Sequence, residues 1–374
     1  LSRNAGWLTP EEQEIFSSKH VAIAGLGGVG GSHLLTLTRL GIGSFTIADF
    51  DTFDLVNFNR QTGAGLSSLG HRKTTVLESR ALDINPELNL KILDRGVEES
   101  NLDEFFSGID LYVDGLDFFA VEARRMVFAT CHERGIPAIT VAPLGMGAAL
   151  LNFLPGKMNF EEYFQLEGHS EQEQLLRFLL GLAPAMLQSR YLVDPSTINL
   201  AAHRGPSTPM GCELCAGVAG TEALKILLNR GDVIAAPRGM QFDAYHNRVV
   251  RTWRPGGNQH PLQRLGLWLA KKRLLSTNTL HSSSGIQAET APFDSPMKGI
   301  LDLARWAPSG DNAQPWRFEI SDDRHVVIHG HDTREHCVYD LRGHASQLAL
   351  GTLLETMHFA ASKYGFRADY GLRP

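Results

Sequence analysis

The sequence predicts a doubly wound, mostly parallel α/β sheet in its larger N-terminal part, followed by a smaller α+β segment. Three observations predict it. Strand and helix patterns alternate from residue 20 to 153. The strand candidates there are continuous apolar runs, as parallel strands covered on both faces must be. The first of them, "HVAIAG", runs into a glycine cluster that opens a helix.

The elements follow in order. "LTPEEQEIF" starts a helix, with Thr9 as N-cap, Pro10 at the first helical position and Glu11 and Glu12 in the first turn. Strands are expected at "HVAIAG", "SFTIAD", "LKILDR", "IDLYVDG" and "PAITVA", and helices at 28–41, 71–83, 101–107 and 118–134. Residues 157–195 read as helical, 205–211 as a loop, and 212–232 as a small-residue helix ending at Gly231. "MQFDAYHNRVVRTWRP" reads as a hairpin turning at His246 and Asn247, and 261–275 as a basic amphipathic helix with Lys271, Lys272 and Arg273 at its solvated end. The polar, serine-rich stretch 276–294 reads as a linker. It separates a first domain, 1–275, from a second folded segment, 295–374.

Composition narrows the function classes. Of 374 residues, 43% are hydrophobic and 20% charged, the balance of a soluble globular protein. A formal charge of −6 provides no basic field for nucleic acid. No apolar run reaches the roughly 20 residues that span a bilayer, and the N-terminus lacks a signal-peptide pattern. A cytoplasmic protein without membrane or nucleic-acid partners is expected. Four cysteines do not make a disulfide framework in a chain this long. The first residue is Leu1 and the last residues are "ADYGLRP", which reads as a chain cut at one or both ends.

The glycine cluster is Gly25-x-Gly27-x-x-Gly30, with Gly28 and Gly31 beside it. Such a loop lets backbone N–H groups approach phosphate oxygens at the positive end of the following helix. Asp49 and Asp51 close the second strand, where a carboxylate can accept ribose hydroxyls. These Rossmann-like features fit NAD and ATP equally. Three later ones favour a triphosphate. "DLVNFNRQTG" puts Asn57, Asn59, Arg60 and Gln61 just after the second strand, and a guanidinium offers a planar fork to phosphate oxygens. Lys73 opens the next helix. "YVDGLD" ends a strand with Asp114 and Asp117 at the ligand-binding edge of an open sheet, and their hard oxygens suit the Mg²⁺ that accompanies ATP.

With "RN" at 3–4, "GLGGVGG", "ADFD", "NFNRQ", Lys73 in "GHRK", "INP" at 84–86 and "DGLD", residues 1–255 resemble the ThiF/MoeB branch of the ubiquitin-activating enzyme superfamily. That resemblance implies an ATP- and Mg²⁺-dependent adenylyltransferase acting on a carboxylate. The substrate would be the C-terminus of a ubiquitin-like or sulfur-carrier protein, a peptide or a small acid. It implies that Gly28 and Asp49 contact nucleotide and ribose, that Asn57, Arg60 and Lys73 bind phosphates, and that Asp117 holds magnesium. It also implies a homodimer in which Arg3 enters the partner's site. The chain departs from the pattern in having Phe118 after Asp117 and a single CxxC pair, Cys212 and Cys215, where many relatives carry two pairs binding zinc. One pair is half a tetrahedral zinc site. Packed among small and apolar residues, these thiols read as buried core. The alternatives are an NAD- or FMN-dependent oxidoreductase and a non-catalytic nucleotide-binding scaffold.

The second segment opens with "ILDLARWAPSGDNAQPWRFEI" and continues to "ASQLALGTLLETMHFAASKYGF". The stretch "ARWAPSGDNAQPW" resembles the start of the nitroreductase family, which binds FMN. By that likeness Ser309, Asn312 and Gln314 would face a flavin. The arginine pair usual before the first helix is replaced here by "SPMKG", and only about 80 residues follow the linker, so the segment reads as a partial nitroreductase-like domain.

Overall fold

Apolar runs of five residues or so, each followed by a helix, leave the chain little choice but a parallel sheet with helices on both faces. The computed structural model describes residues 2–200, 203–283, 295–309, 314–331 and 344–371. The chain divides into two compact units, Leu1–Leu274 and Leu275–Pro374.

In the first unit, α1 (Pro10–Ser18) precedes β1 (His20–Ala24), α2 (Gly30–Leu40), β2 (Ser44–Ala48), α3 (Lys73–Ile84), β3 (Asn89–Leu93), α4 (Leu102–Phe105), β4 (Leu111–Asp114), α5 (Val121–Glu133) and β5 (Ala138–Pro143). The chain then adds β6 (Gly147–Phe153), α6 (Phe160–Phe164), α7 (Glu171–Leu182), α8 (Pro209–Leu227), β7 (Arg238–Asp243), β8 (Arg248–Trp253) and α9 (Pro261–Ser283). The eight strands lie in the order β3-β2-β1-β4-β5-β6-β7-β8. The first five are parallel, with Ile23 opposite Ile47 and Val113, and the last three antiparallel. Strand order reverses between β1 and β4, and that switch point makes the ligand crevice of such sheets.

Two apolar layers sandwich the sheet. Val21, Ile23, Val113 and Ile139 pack on one side with Leu34 and Leu37 of α2 and Ala219 of α8. Tyr112, Ala138, Phe128, Phe153 and Phe178 pack on the other. The switch point is closed by glycines. Gly25 has φ +82°, and a Cβ on it would lie 2.4 Å from the Gly115 carbonyl oxygen. A Cβ on Gly30 would lie 1.8 Å from the Gly25 carbonyl oxygen, so side chains at these positions would force the two loops apart.

The expected strands and the hairpin at His246 and Asn247 form, and four elements differ from expectation. An unexpected strand, β6, lies wholly buried between β5 and β7 over seven residues. The expected helix over 157–195 is two helices and short 3₁₀ turns, interrupted where Gln165 and Gly168 take positive φ. Helix α8 begins at Pro209, inside the expected loop, because Thr208 caps it by accepting from the Gly211 N–H. Helix α9 runs to Ser283, so the linker expected from 276 begins within a helix. Each further residue of a formed helix adds a hydrogen bond, which carries it into polar sequence. Among the described residues no helix is long and apolar enough to cross a membrane.

The second unit holds α10 (Pro296–Ala304), an antiparallel pair β9 (Trp316–Ile320) and β10 (Val326–Gly330), and α11 (His344–Lys363). Its own small core includes Met297, Leu301, Trp316, Leu353 and Met357.

Helix α2 also buries His33, whose two ring nitrogens have no hydrogen-bond partner among the described residues. Burial pulls its pKa from 6.5 down to about 4, against the opposing charge of Asp114. The folded protein therefore binds fewer protons here than the unfolded chain, and stability falls as pH drops from about 6.5 toward about 4. A gap of that size corresponds to about 3 kcal/mol at its full extent. Urea midpoints taken near pH 7 and near pH 4.5 should fall more steeply in the wild type than in His33→Leu. Parallel loss in both proteins would place the acid sensitivity elsewhere.

Candidate functional site

The crevice at the C-terminal ends of β1, β2 and β4 gathers most of the residues singled out in the sequence. The loop from Gly25 through Gly27 and Gly28 to Gly30 leads into α2, whose N-cap, Val29, supplies no side-chain hydrogen bond. The first N–H groups of α2 therefore lack a side-chain partner and stand at the positive end of the helix. Asp49, buried at the end of β2, accepts from the N–H groups of Leu26 at 2.6 Å and Asp51 at 2.7 Å. It thereby clamps the glycine loop to β2. Burial raises the pKa of its carboxyl, and the two backbone donors oppose that rise.

The loop after β2 is shaped by its own amides. Asn57 is buried, and its Oδ1 accepts from the Asp54 N–H at 2.9 Å in a capping arrangement. The side chain expected to face phosphate thus also holds the turn. Arg60 projects from this turn and donates from Nη1 to the Val56 carbonyl at 3.1 Å and to Asn59 Oδ1 at 2.9 Å. A Cβ on Gly28 would lie 3.8 Å from Arg60 Nε, so the guanidinium stands beside the glycine loop. Among the described residues Arg60 forms no ion pair, and its charge is available to an anion. Asn59 Nδ2 donates to the Ser207 carbonyl at 3.1 Å, tying this loop to the segment before α8.

Lys73 is the first residue of α3 and is buried, with Nζ 2.8 Å from Asp51 Oδ2. Asp114 and Asp117 have opposite surroundings. Asp114 is buried and accepts from Arg124 Nε at 2.8 Å, Thr140 Oγ1 at 2.8 Å and Tyr112 OH at 3.3 Å. Asp117 is exposed, and among the described residues its Oδ1 accepts only from the Phe119 N–H, at 3.0 Å. Asp117 therefore has the lone pairs left for a cation. Nothing local in the sequence marked Arg124, whose partner Asp114 ends β4 and is bonded in turn by Thr140 of the neighbouring β5.

Arg3 does not join this cluster. It is exposed on a 3₁₀ turn, Ser2–Asn4, and Asn4 Nδ2 donates to the Arg39 carbonyl at 3.0 Å. That anchors it at the C-terminal end of α2, while the glycine loop is at the N-terminal end. In the second unit the Gln314 N–H donates to Ser309 Oγ at 2.9 Å, and Asn312 lies outside the described residues.

Cys212 and Cys215 are wholly buried on α8, and burial pushes both thiols up. Cys212 is nearer the site than its sequence context implied, since a Cβ on Gly28 would lie 3.1 Å from its Sγ. Among the described residues no cluster of three His, Cys, Asp or Glu side chains could hold a metal ion. A buried thiol with a raised pKa is a poor nucleophile. The double change Cys212→Ser, Cys215→Ser should leave ATP–pyrophosphate exchange within about threefold of wild type, the spread of an ordinary packing change. Loss of exchange with an intact circular dichroism spectrum would give the thiols a chemical role.

The glycine loop, clamped by an acid at the end of β2 and flanked by an arginine, coincides with a known family pattern: the model of the ThiF family matches residues 1–265. The chain belongs to the ThiF family. Among curated proteins it is similar to the tRNA threonylcarbamoyladenosine dehydratase of Bacillus subtilis (strain 168), 35% identical over 150 residues, covering 40% of this chain and 57% of that protein. It is also similar to the sulfur carrier protein ThiS adenylyltransferase of Escherichia coli (strain K12), 29% identical over 144 residues, covering 38% and 56%. The chain spans about half the length of the curated relatives it matches. Among solved structures, selenomethionine PaaA shares the fold, with a TM-score of 0.50 and 17% identity over 67% of this chain and 68% of that one.

Proposed function

We propose that this ThiF-family chain is an adenylyltransferase that uses ATP and Mg²⁺ to activate a carboxylate as an acyl-adenylate. The observation that carries this reading is Arg60 beside Gly28. An unpaired guanidinium at a glycine loop and an uncapped helix N-terminus suits a triphosphate, and a dinucleotide does not need it. Lys73, now paired with Asp51, supplies a second cation within the same crevice.

The chemistry asks little of acid–base groups. A carboxylate is ionised at neutral pH, because its pKa is about 4. One of its oxygens bonds to the α-phosphorus, the bond from that phosphorus to the bridging oxygen breaks, and pyrophosphate leaves with the electron pair. Arg60 and the N–H groups of α2 stabilise the charge that grows on the phosphoryl oxygens, and Asp49 orients the ribose. The exposed Asp117 fits Mg²⁺, which keeps several waters and takes one or two carboxylates alongside phosphate oxygens. Bound there, the metal would neutralise charge on the phosphates.

The acyl substrate is the C-terminus of a small carrier protein, a peptide or a small acid. The adenylyltransferase of a sulfur carrier protein among its relatives supports the first. The active form is a homodimer with Arg3 acting in the partner's site. Residues 295–374 form a partial nitroreductase-like segment, with Ser309, Asn312 and Gln314 as its candidate flavin contacts.

Mg-ATP should stabilise the protein against heat and NAD should not. Saturating ligand at a hundred times its dissociation constant contributes about 2.7 kcal/mol. Pyrophosphate exchange across a panel of carrier proteins, peptides and small acids then identifies the substrate. A shift with NAD and none with Mg-ATP overturns the reading in favour of an oxidoreductase. A shift with Mg-ATP but no exchange with any carboxylate leaves a nucleotide-binding scaffold.

A further inference from the structure

Arg124 makes more contacts than its ion pair with Asp114 requires. The Nε–Oδ2 distance is 2.8 Å, and both side chains are 3% exposed. The same guanidinium donates from Nη2 to the carbonyls of Leu116 at 2.7 Å and Asp117 at 3.0 Å, and from Nη1 to Phe118 at 3.5 Å. Its flat face lies 4.6 Å from the centre of the Phe178 ring. One buried group thus holds three consecutive carbonyls of the loop between β4 and α5, and Asp114 orients that group from the end of β4.

We infer that Arg124 is the positioning residue that fixes the Asp117 carboxylate toward the nucleotide crevice, an inference that rests on the adenylyltransferase reading. With carbonyls 116 to 118 pinned from inside, the backbone at Asp117 has one conformation. The Ala120 N–H bonds the Asp117 carbonyl and the Phe119 N–H bonds its Oδ1, and the residue is exposed. Only a planar fork can serve a carboxylate and three carbonyls at once. Lysine keeps the charge for Asp114 but is a point donor and releases the loop.

The test uses the full chain with Mn²⁺ as probe. Binding is followed by electron paramagnetic resonance with a non-hydrolysable ATP analogue present, and the analogue's affinity without metal is measured alongside. Arg124→Lys should bind Mn²⁺ about tenfold more weakly, the cost usual for losing a group that orients a metal ligand. Metal-free analogue affinity should stay within about twofold, because the glycine loop and Arg60 are untouched. In an Asp117→Asn background Arg124→Lys should cost no further Mn²⁺ affinity, since both act through one carboxylate. Wild-type Mn²⁺ affinity in folded Arg124→Lys, or losses that add, would overturn the inference. If Arg124→Lys does not fold, Phe178→Leu, which removes the ring against the guanidinium together with its contacts to Phe118, Phe160 and Phe164, carries the same test with an expected loss of about threefold. Should the wild type bind the analogue equally well with and without metal, the adenylyltransferase reading fails first and this inference falls with it.

Discussion

Arg60→Ala is expected to lower the turnover of pyrophosphate exchange by about 100-fold or more, the usual cost of removing one preorganised group that meets transition-state charge. The Michaelis constant for ATP should change only about threefold. The asymmetry follows from what each group meets. On the proposed reading, ground-state ATP would be held by the N–H groups of the glycine loop and of α2, by Lys73 and by Asp49, and all of these survive the change. In the proposed reaction charge would move onto phosphoryl oxygens as the bond to pyrophosphate breaks, and the Arg60 fork stands beside Gly28 to meet it. An interaction that strengthens only then appears in turnover and not in binding. Arg60→Lys is the control. It keeps the charge and loses the bidentate geometry, so recovery should be partial. Arg60 also bonds the Val56 carbonyl and Asn59, and thermal midpoints must show that the loop survives its loss. Full exchange activity in Arg60→Ala would remove this residue from the site.

The parts of this site that were legible in the sequence are those built by local chemistry. A strand, a glycine turn and a helix within twenty-odd residues define the glycine loop, and the acid at the end of the next strand is placed by the alternation itself. The positions of Arg60 and Lys73 were legible because both follow the end of β2, where an open sheet forms its crevice. Distant pairings were illegible. Cys212 lies against Gly28, and the Ser207 carbonyl bonds Asn59, only because α8 packs on the sheet face beside α2. Arg124 has the composition of a surface helix residue, and what distinguishes it is a carboxylate on β4 beneath it. The strand β6 escaped because its run, "GAALLNF", has no strand-like alternation. It is buried on both faces, as a strand interior to a sheet must be.

The other large effect concerns Arg3. An Arg3→Ala protein and an Asp117→Ala protein, each inactive alone, should regain about a quarter of wild-type exchange activity when mixed in equal amounts and allowed to swap subunits, as an isologous dimer requires. In the mixture half the dimers are hybrids. One site of each hybrid has Asp117 from one chain and Arg3 from the other, and its second site has neither. The geometry makes service in cis implausible. Asn4 is fixed to the last carbonyls of α2, and that helix has 11 residues. At 1.5 Å per residue Arg3 therefore starts about 16 Å along the helix from the glycine loop, beyond the reach of one side chain. Arg3 is also exposed, as an arm offered to a second copy would be. Light scattering that reports a monomer at assay concentration would sink this arrangement. So would a mixture no more active than its two components, because a site complete within one chain gains nothing from a partner.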